Sequence, residues 1–287
     1  MYAVLMVDLK GSRLYEPERR NALQQYLVEL TEALNRIFAP AMARELEFNG
    51  GDEIQGLFSE PSGALLCLRL LQRAVFPVPI HGGIGVGEWT VRTPERDTFY
   101  QDGPVYHRAR EAIELAKKER DYMALLCTGG DGDRVLNAML NAACRLTEQN
   151  SSHQNDLALL LELCFPVTLP DRTMNLRNLF DLALLLPRRQ EICEGSGKPG
   201  KLSPEAFLAA ADFGSHSLPA RRTEEKTQNR YSGAHPYGAA STVVLFTGLK
   251  RQAVDTALRA SNAYAERALA LALRDELSEA WKEPDRD

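Results

Sequence analysis

The chain has 287 residues, of which 44% are apolar and 25% charged, the profile of a soluble globular protein with room for one large domain or two ordinary ones. Its formal net charge of −5 excludes a molecule coated in positive charge, so any contact with nucleic acid has to come from a local basic patch. No apolar run approaches the roughly 20 residues of a membrane-spanning helix, so no membrane partner is expected.

The start, "MYAVLMVDL", is a continuous apolar, β-rich run, as in a strand buried on both faces. It has no basic leader region and is cut off by Asp8, so a cytoplasmic, untargeted protein is expected. "EPERRNALQQYLVELTEALNRIF" places Pro17 in a first helical turn ahead of apolar residues at helical spacing. "ELEFN" and "IQGLF" are short strands joined through Gly50 and Gly51, a hairpin whose tip carries Asp52 and Glu53. A second helix fits "PSGALLCLRLLQRAV", and a strand broken by four glycines fits "PIHGGIGVGEWTV". Asp102 is placed to cap the helix "GPVYHRAREAIELAKKER" before a last strand "YMALLCT". The order βαββαβαβ predicts an α+β fold with a ferredoxin-like (βαββαβ) palm over residues 1–130.

Strand signals then largely stop. "DRVLNAMLNAACRLTEQ", "NDLALLLELC" and "LRNLFDLALLLP" predict an all-α domain over 131–193. "EGSGKPGKLSP" has linker chemistry, and residues 214–238 are poor in aliphatic side chains but hold Arg221, Arg222, Lys226 and Arg230, so 194–238 reads as a linker and mobile basic segment. Helical periodicity returns over 239–287, interrupted at Thr247-Gly248-Leu249. The five cysteines form no C-x-x-C pair, and Cys67, Cys127, Cys144 and Cys164 lie in apolar stretches where Cys behaves as a small hydrophobe, which points to a reducing compartment.

The chemistry gathers around the hairpin. Asp8 ends the first strand and Asp52 lies at the turn beside it, so the two carboxylates are expected to converge on one edge of the sheet. Left alone they would repel; a divalent cation removes that conflict, and hard oxygen ligands suit Mg²⁺ or Mn²⁺ bound together with substrate phosphates. Strand alternation sends Asp52 and Glu53 to opposite faces, which makes Asp52 the first choice of ligand and Glu53 the second. "LKGSR" adds Lys10, Gly11 and Ser12 in a loop ahead of a helix, where backbone N–H groups can approach a triphosphate, and Gly51 in the hairpin joins these candidate nucleotide contacts. Lys117 and Lys118 reach phosphates on this reading, or simply decorate a solvated helix end. The plain alternatives for the acids are a turn aspartate at residue 8 and a polar hairpin tip at 52–53. His81 and His107 have no ligand-pair spacing and read as ordinary polar residues.

"MVDLKGSR", "NGGDEIQGLF", "HGGIGVGEWT" and "DGPVYHRAREAIELAKK" resemble the successive motifs of the SatD family, itself similar to class III nucleotidyl cyclases and GGDEF domains. The resemblance covers roughly residues 1–128. It implies metal ligands at Asp8 and Asp52, a backbone ligand at Leu9 that also touches the nucleotide, and an acidic neighbour at Glu53, which with Arg110 is the candidate for a catalytic role; Lys117 stays a candidate nucleotide contact. "GIGVGE" is similar to a cyclase strand whose glycines let the sheet pack closely beneath the nucleotide, although a bulge or a helix contact accounts for them equally. Cyclases carry an "N-x-A-A-R"-like run where this chain reads "YHRAR", with Arg110 but no asparagine, a departure that puts turnover in doubt. The resemblance also implies a homodimer.

In the tail, Gly248 followed six residues later by Val254 fits the turn of a helix-turn-helix, which puts Lys250, Arg251, Gln252 and Arg259 on a recognition helix facing double-stranded DNA. An ordinary helical hairpin fits as well. The expected function is that of a nucleotide-responsive regulator binding ATP or GTP with Mg²⁺; the alternative is a nucleotidyl cyclase or nucleotidyltransferase working by two-metal catalysis.

Overall fold

A computed structural model of the chain describes residues 1–11, 15–49, 53–93, 98–119, 122–169, 174–193, 202–217 and 232–280. The first part runs β1 (Tyr2–Leu9), α1 (Pro17–Phe38), β2 (Met42–Asn49), β3 (Glu53–Phe58), α2 (Pro61–Val75), β4 (Ile80–Gly87), α3 (Pro104–Lys118) and β5 (Ala124–Cys127), the order expected from the sequence. Helices follow: α4 (Asp133–Glu148), α5 (Ser152–Cys164), α6 (Leu179–Cys193), α7 (Pro204–Ser217), α8 (Ala239–Thr247), α9 (Arg251–Ala260) and α10 (Ala263–Ala280).

The strands form one mixed sheet in the order β2-β3-β1-β4-β5, antiparallel throughout except for the parallel pair β4–β5. β1 is central and buried on both faces, which is why it reads as an unbroken apolar run. Ala3, Leu5, Val7 and Leu9 face one apolar layer with α1 and α2. Val4 and Met6 face the other, with Leu57 and the α3 residues Val105, Ala109 and Ile113.

Gly83 and Gly85 of β4 answer to α3. A Cβ on Gly85 would stand 2.2 Å from the backbone N of Ala109 and 2.3 Å from the carbonyl of Val105, and one on Gly83 would meet Ala109 and Ile113 at 2.6 Å. The helix lies directly on the strand because no side chain separates them, so these glycines are a helix contact.

Two expectations are corrected. Asp102 does not cap α3 with its side chain: the capping residue is Gly103, whose N–H donates to Asp102 Oδ1 at 2.7 Å, while the Asp102 backbone bridges to Val91. Residues 204–217, inside the stretch read as linker, form α7, which packs against α5 and α6 and buries Ala206, Phe207, Ala210 and Ala211. Its "EAFLAAADF" has the apolar spacing of a helix, overshadowed by the polar sequence on either side. Residues 194–201 and 218–231, which carry Arg221, Arg222, Lys226 and Arg230, lie outside the described residues.

The layer of α1 and α2 continues into the later helices, and one apolar cluster holds β-strand residues together with Val254, Leu258, Leu273 and Leu277. Inside it lies an ionic network. Arg69 on α2 donates to both Glu162 oxygens at 2.7 Å, and to Glu266 at 2.5 and 2.7 Å. Arg73 reaches Glu266 at 2.7 Å, and Arg267 bonds Glu162 and the carbonyl of Gly233. All five side chains are at most 7% exposed. Burial alone would raise both carboxyls; the guanidiniums of Arg267 and Arg69 at Glu162, and of Arg69 and Arg73 at Glu266, outweigh it and hold both below the usual carboxylate range.

Candidate functional site

The register of the sheet assembles a row of polar side chains. Asp8 pairs with Glu53 on one side and with His81 on the other. Directly paired residues of neighbouring antiparallel strands share a face, so Glu53, Asp8 and His81 line up across β3, β1 and β4 on the face that α3 covers. Lys117, in the last turn of α3, brings Nζ to 3.4 Å from Asp8 Oδ2, with the two side chains 30% and 19% exposed.

Of the residues singled out from sequence, Asp8, Glu53 and Lys117 therefore meet at one end of the sheet. Asp52, Gly51 and Ser12 lie outside the described residues. Among the described acids it is Glu53, the second choice, that stands opposite Asp8. Leu9 buries its side chain in the core and pairs with Ile80 of β4, and the backbone N–H of Lys10 bonds the Pro79 carbonyl while its side chain stays exposed. Gly11 follows with φ +74° at the surface. Arg110 is exposed on α3 two turns before Lys117, hence on the same side of the helix.

His81 is the residue that sequence reading passed over. Burial, then the nearby positive charge of Lys10 and Lys117, holds its imidazole below the ordinary value of 6.5, with Asp8 pulling the other way. Its Nδ1 is buried and has no hydrogen-bond partner among the described residues. The missed signal was register rather than spacing: His81 is one residue into β4, as Asp8 is one residue from the end of β1. His107 sits on the exposed face of α3, 3.4 Å from Asp102.

Hard carboxylate oxygens of Asp8 and Glu53 on one face suit a divalent cation such as Mg²⁺. Among the described residues no group of three or more His, Cys, Asp or Glu side chains stands close enough to hold a metal. Further ligands for such a cation would have to come from water, a bound ligand or residues outside the described set.

In the tail, Gly248 ends α8 with φ +64°, a conformation that glycine adopts freely, and Val254 is buried at the start of α9. Lys250, Arg251, Gln252 and Arg259 are exposed, with Arg259 paired to Asp255 at 2.8 Å.

The molecule is thus an α+β protein with a charged row at one end of a mixed five-stranded sheet. The sequence model of the SatD family matches residues 2–164, and the chain belongs to that family. The match runs past the sheet to the end of α5, which carries Glu162 of the buried network. No curated protein and no solved structure matches the chain. Among the described residues no helix is long and apolar enough to cross a membrane.

Proposed function

We propose that this chain is a nucleotide-responsive regulator in which residues 1–130 form a ferredoxin-like, cyclase-like palm that binds ATP or GTP with Mg²⁺ at the Asp8 end of the sheet. The observation that carries the reading is the row Glu53, Asp8 and His81 with Lys117 at 3.4 Å from Asp8. The antiparallel order β2-β3-β1-β4, with β2 and β3 adjacent in sequence, supports the palm. Asp8 and Glu53 would hold the cation, which neutralises phosphate charge when bound; Lys10 and Lys117 supply positive charge, and the backbone around Gly11 supplies N–H donors. Of the amide and the arginine of the cyclase-like run only Arg110 is kept, and loss of a single transition-state donor typically costs roughly 10² to 10³ in rate, so the reading favours sensing over rapid turnover.

Isothermal titration tests it: triphosphate binding is expected to need Mg²⁺ or Mn²⁺ and to weaken at least about tenfold, or about 1.4 kcal/mol, in Asp8→Asn. Unchanged affinity in that variant sinks the palm reading.

We extend the proposal to the tail, where α8, Gly248 and α9 act as a helix-turn-helix on double-stranded DNA. Exposure of Lys250, Arg251 and Gln252 beside the buried Val254 supports it. Duplex affinity is expected to fall with rising salt and to drop in Arg251→Ala, measured by fluorescence anisotropy on fragments of the source genome. If no fragment is bound at low salt, α8 and α9 are a plain helical hairpin.

A further inference from the structure

We propose that Lys117 is a resident counter-ion of Asp8, displaced by a divalent cation and then taken up by the triphosphate. The inference rests on the reading of Asp8 as a metal ligand and adds an order of events to it.

The geometry favours exchange. Lys117 Nζ lies 3.4 Å from Asp8 Oδ2, where it offsets a carboxylate that also faces Glu53 across the ladder. Both side chains reach water, 30% and 19% exposed, so each charge can be hydrated while the other changes partner. Lysine is a point charge on a flexible four-carbon stem. Its helix, by contrast, is pinned, because the backbone of α3 lies on Gly83 and Gly85 of β4. The ammonium can swing while the helix stays.

A dication arriving alone must evict Lys117 and leave it without a partner. With a triphosphate present, the evicted ammonium gains a phosphate oxygen, so the number of ion pairs is kept. Metal and triphosphate therefore bind with positive coupling, and part of that coupling belongs to Lys117.

The test compares wild-type protein, Lys117→Met, Lys118→Met and Asp8→Asn, each confirmed folded by circular dichroism. Mn²⁺ alone is titrated and followed by the electron paramagnetic resonance of the free ion; Mg²⁺ with triphosphate is followed by calorimetry. Lys117→Met is expected to bind Mn²⁺ alone about fivefold more tightly than wild type and the Mg²⁺ triphosphate more weakly, while Lys118→Met, which removes an equal charge from the next, exposed position, leaves Mn²⁺ affinity unchanged. Asp8-dependent Mn²⁺ binding that Lys117→Met does not tighten overturns the exchange and leaves the metal site standing. Equal tightening in both lysine variants overturns it as well, since it shows a general field. Absence of Mn²⁺ binding in wild type and Lys117→Met alike overturns the exchange together with the metal reading beneath it.

Discussion

Lys117 beside Asp8 and Arg69 between Glu162 and Glu266 both match a cation to carboxylate, in opposite surroundings. The first pair sits at one end of the sheet, at 3.4 Å, and keeps part of each side chain in water. The second is a forked arginine held by four charge-assisted bonds, closed in by Arg73, Arg267 and the apolar surfaces of α2, α5 and α10. Solvent decides what each can do. An ion pair that water can reach is worth about 0–1 kcal/mol when fully exposed, and its members can be traded for another partner. In the interior the pair has already lost its hydration, so removing one member strands a charge, at about 3–5 kcal/mol. The same chemistry thus makes a replaceable contact at the sheet end and a fixed joint between the sheet layer and the C-terminal helices.

The largest expected effect comes from breaking the joint. Glu162→Gln leaves Arg267 and Arg69 short of charge and is expected to lower unfolding free energy by about 3–5 kcal/mol, measured by urea denaturation at pH 7. Asp8→Asn in the same assay is expected to cost less than about 1 kcal/mol. Equal losses in the two variants would erase the contrast. Acid sharpens it further: because the folded Glu162 carboxyl is depressed, its contribution is present in full above the unfolded value of about 4.3 and is lost only as the pH falls towards the lower folded value. Glu162→Gln should accordingly flatten the loss of stability below pH 4.3.

The smallest effect concerns His81, a reporter inside the open cluster. Its imidazole is expected to titrate below 6.5 by NMR, to move upward in Lys117→Met, which removes a repelling charge, and further downward in Asp8→Asn, which removes an attracting one. The linked effect on stability follows: the unfolded chain takes up this proton near pH 6.5 and the folded chain only at lower pH, so folding weakens as the pH drops below about 6.5. A His81 resonance that ignores both substitutions would separate it from the Asp8 cluster.

Much of the fold was legible because its signals are local. "YAVLMVDL" is β-rich and apolar at every position but the aspartate, the pattern of a strand between two apolar layers, and the glycines between "ELEFN" and "IQGLF" pointed to a hairpin, which the antiparallel pairing of β2 with β3 bears out. Asp8 and Glu53 stood out because charge interrupts apolar runs there. The buried network had a trace too: Arg69 and Arg73, four residues apart in "LLCLRLLQRAV", are charges on a helix otherwise fit for the interior, and such charges need partners. Nothing local names those partners, since Glu162 and Glu266 lie 93 and 197 residues from Arg69. Helix α7 was obscured for a different reason: its apolar spacing is ordinary, but the polar stretches around it dominate the composition.

By itself the sequence determined the βαββαβαβ order, the apolar spacing of the helices other than α7 and the charges that break it, since periodicity and turn chemistry act between residues close along the chain. Tertiary structure alone decided which charges meet. Strand register put His81 and Glu53 on either side of Asp8, and the bare glycine backbone of β4 let α3 settle close enough for Lys117 to reach it. Burial then separated the exchangeable pair from the locked network, because hydration depends on every neighbouring element at once and has no signature in any one of them.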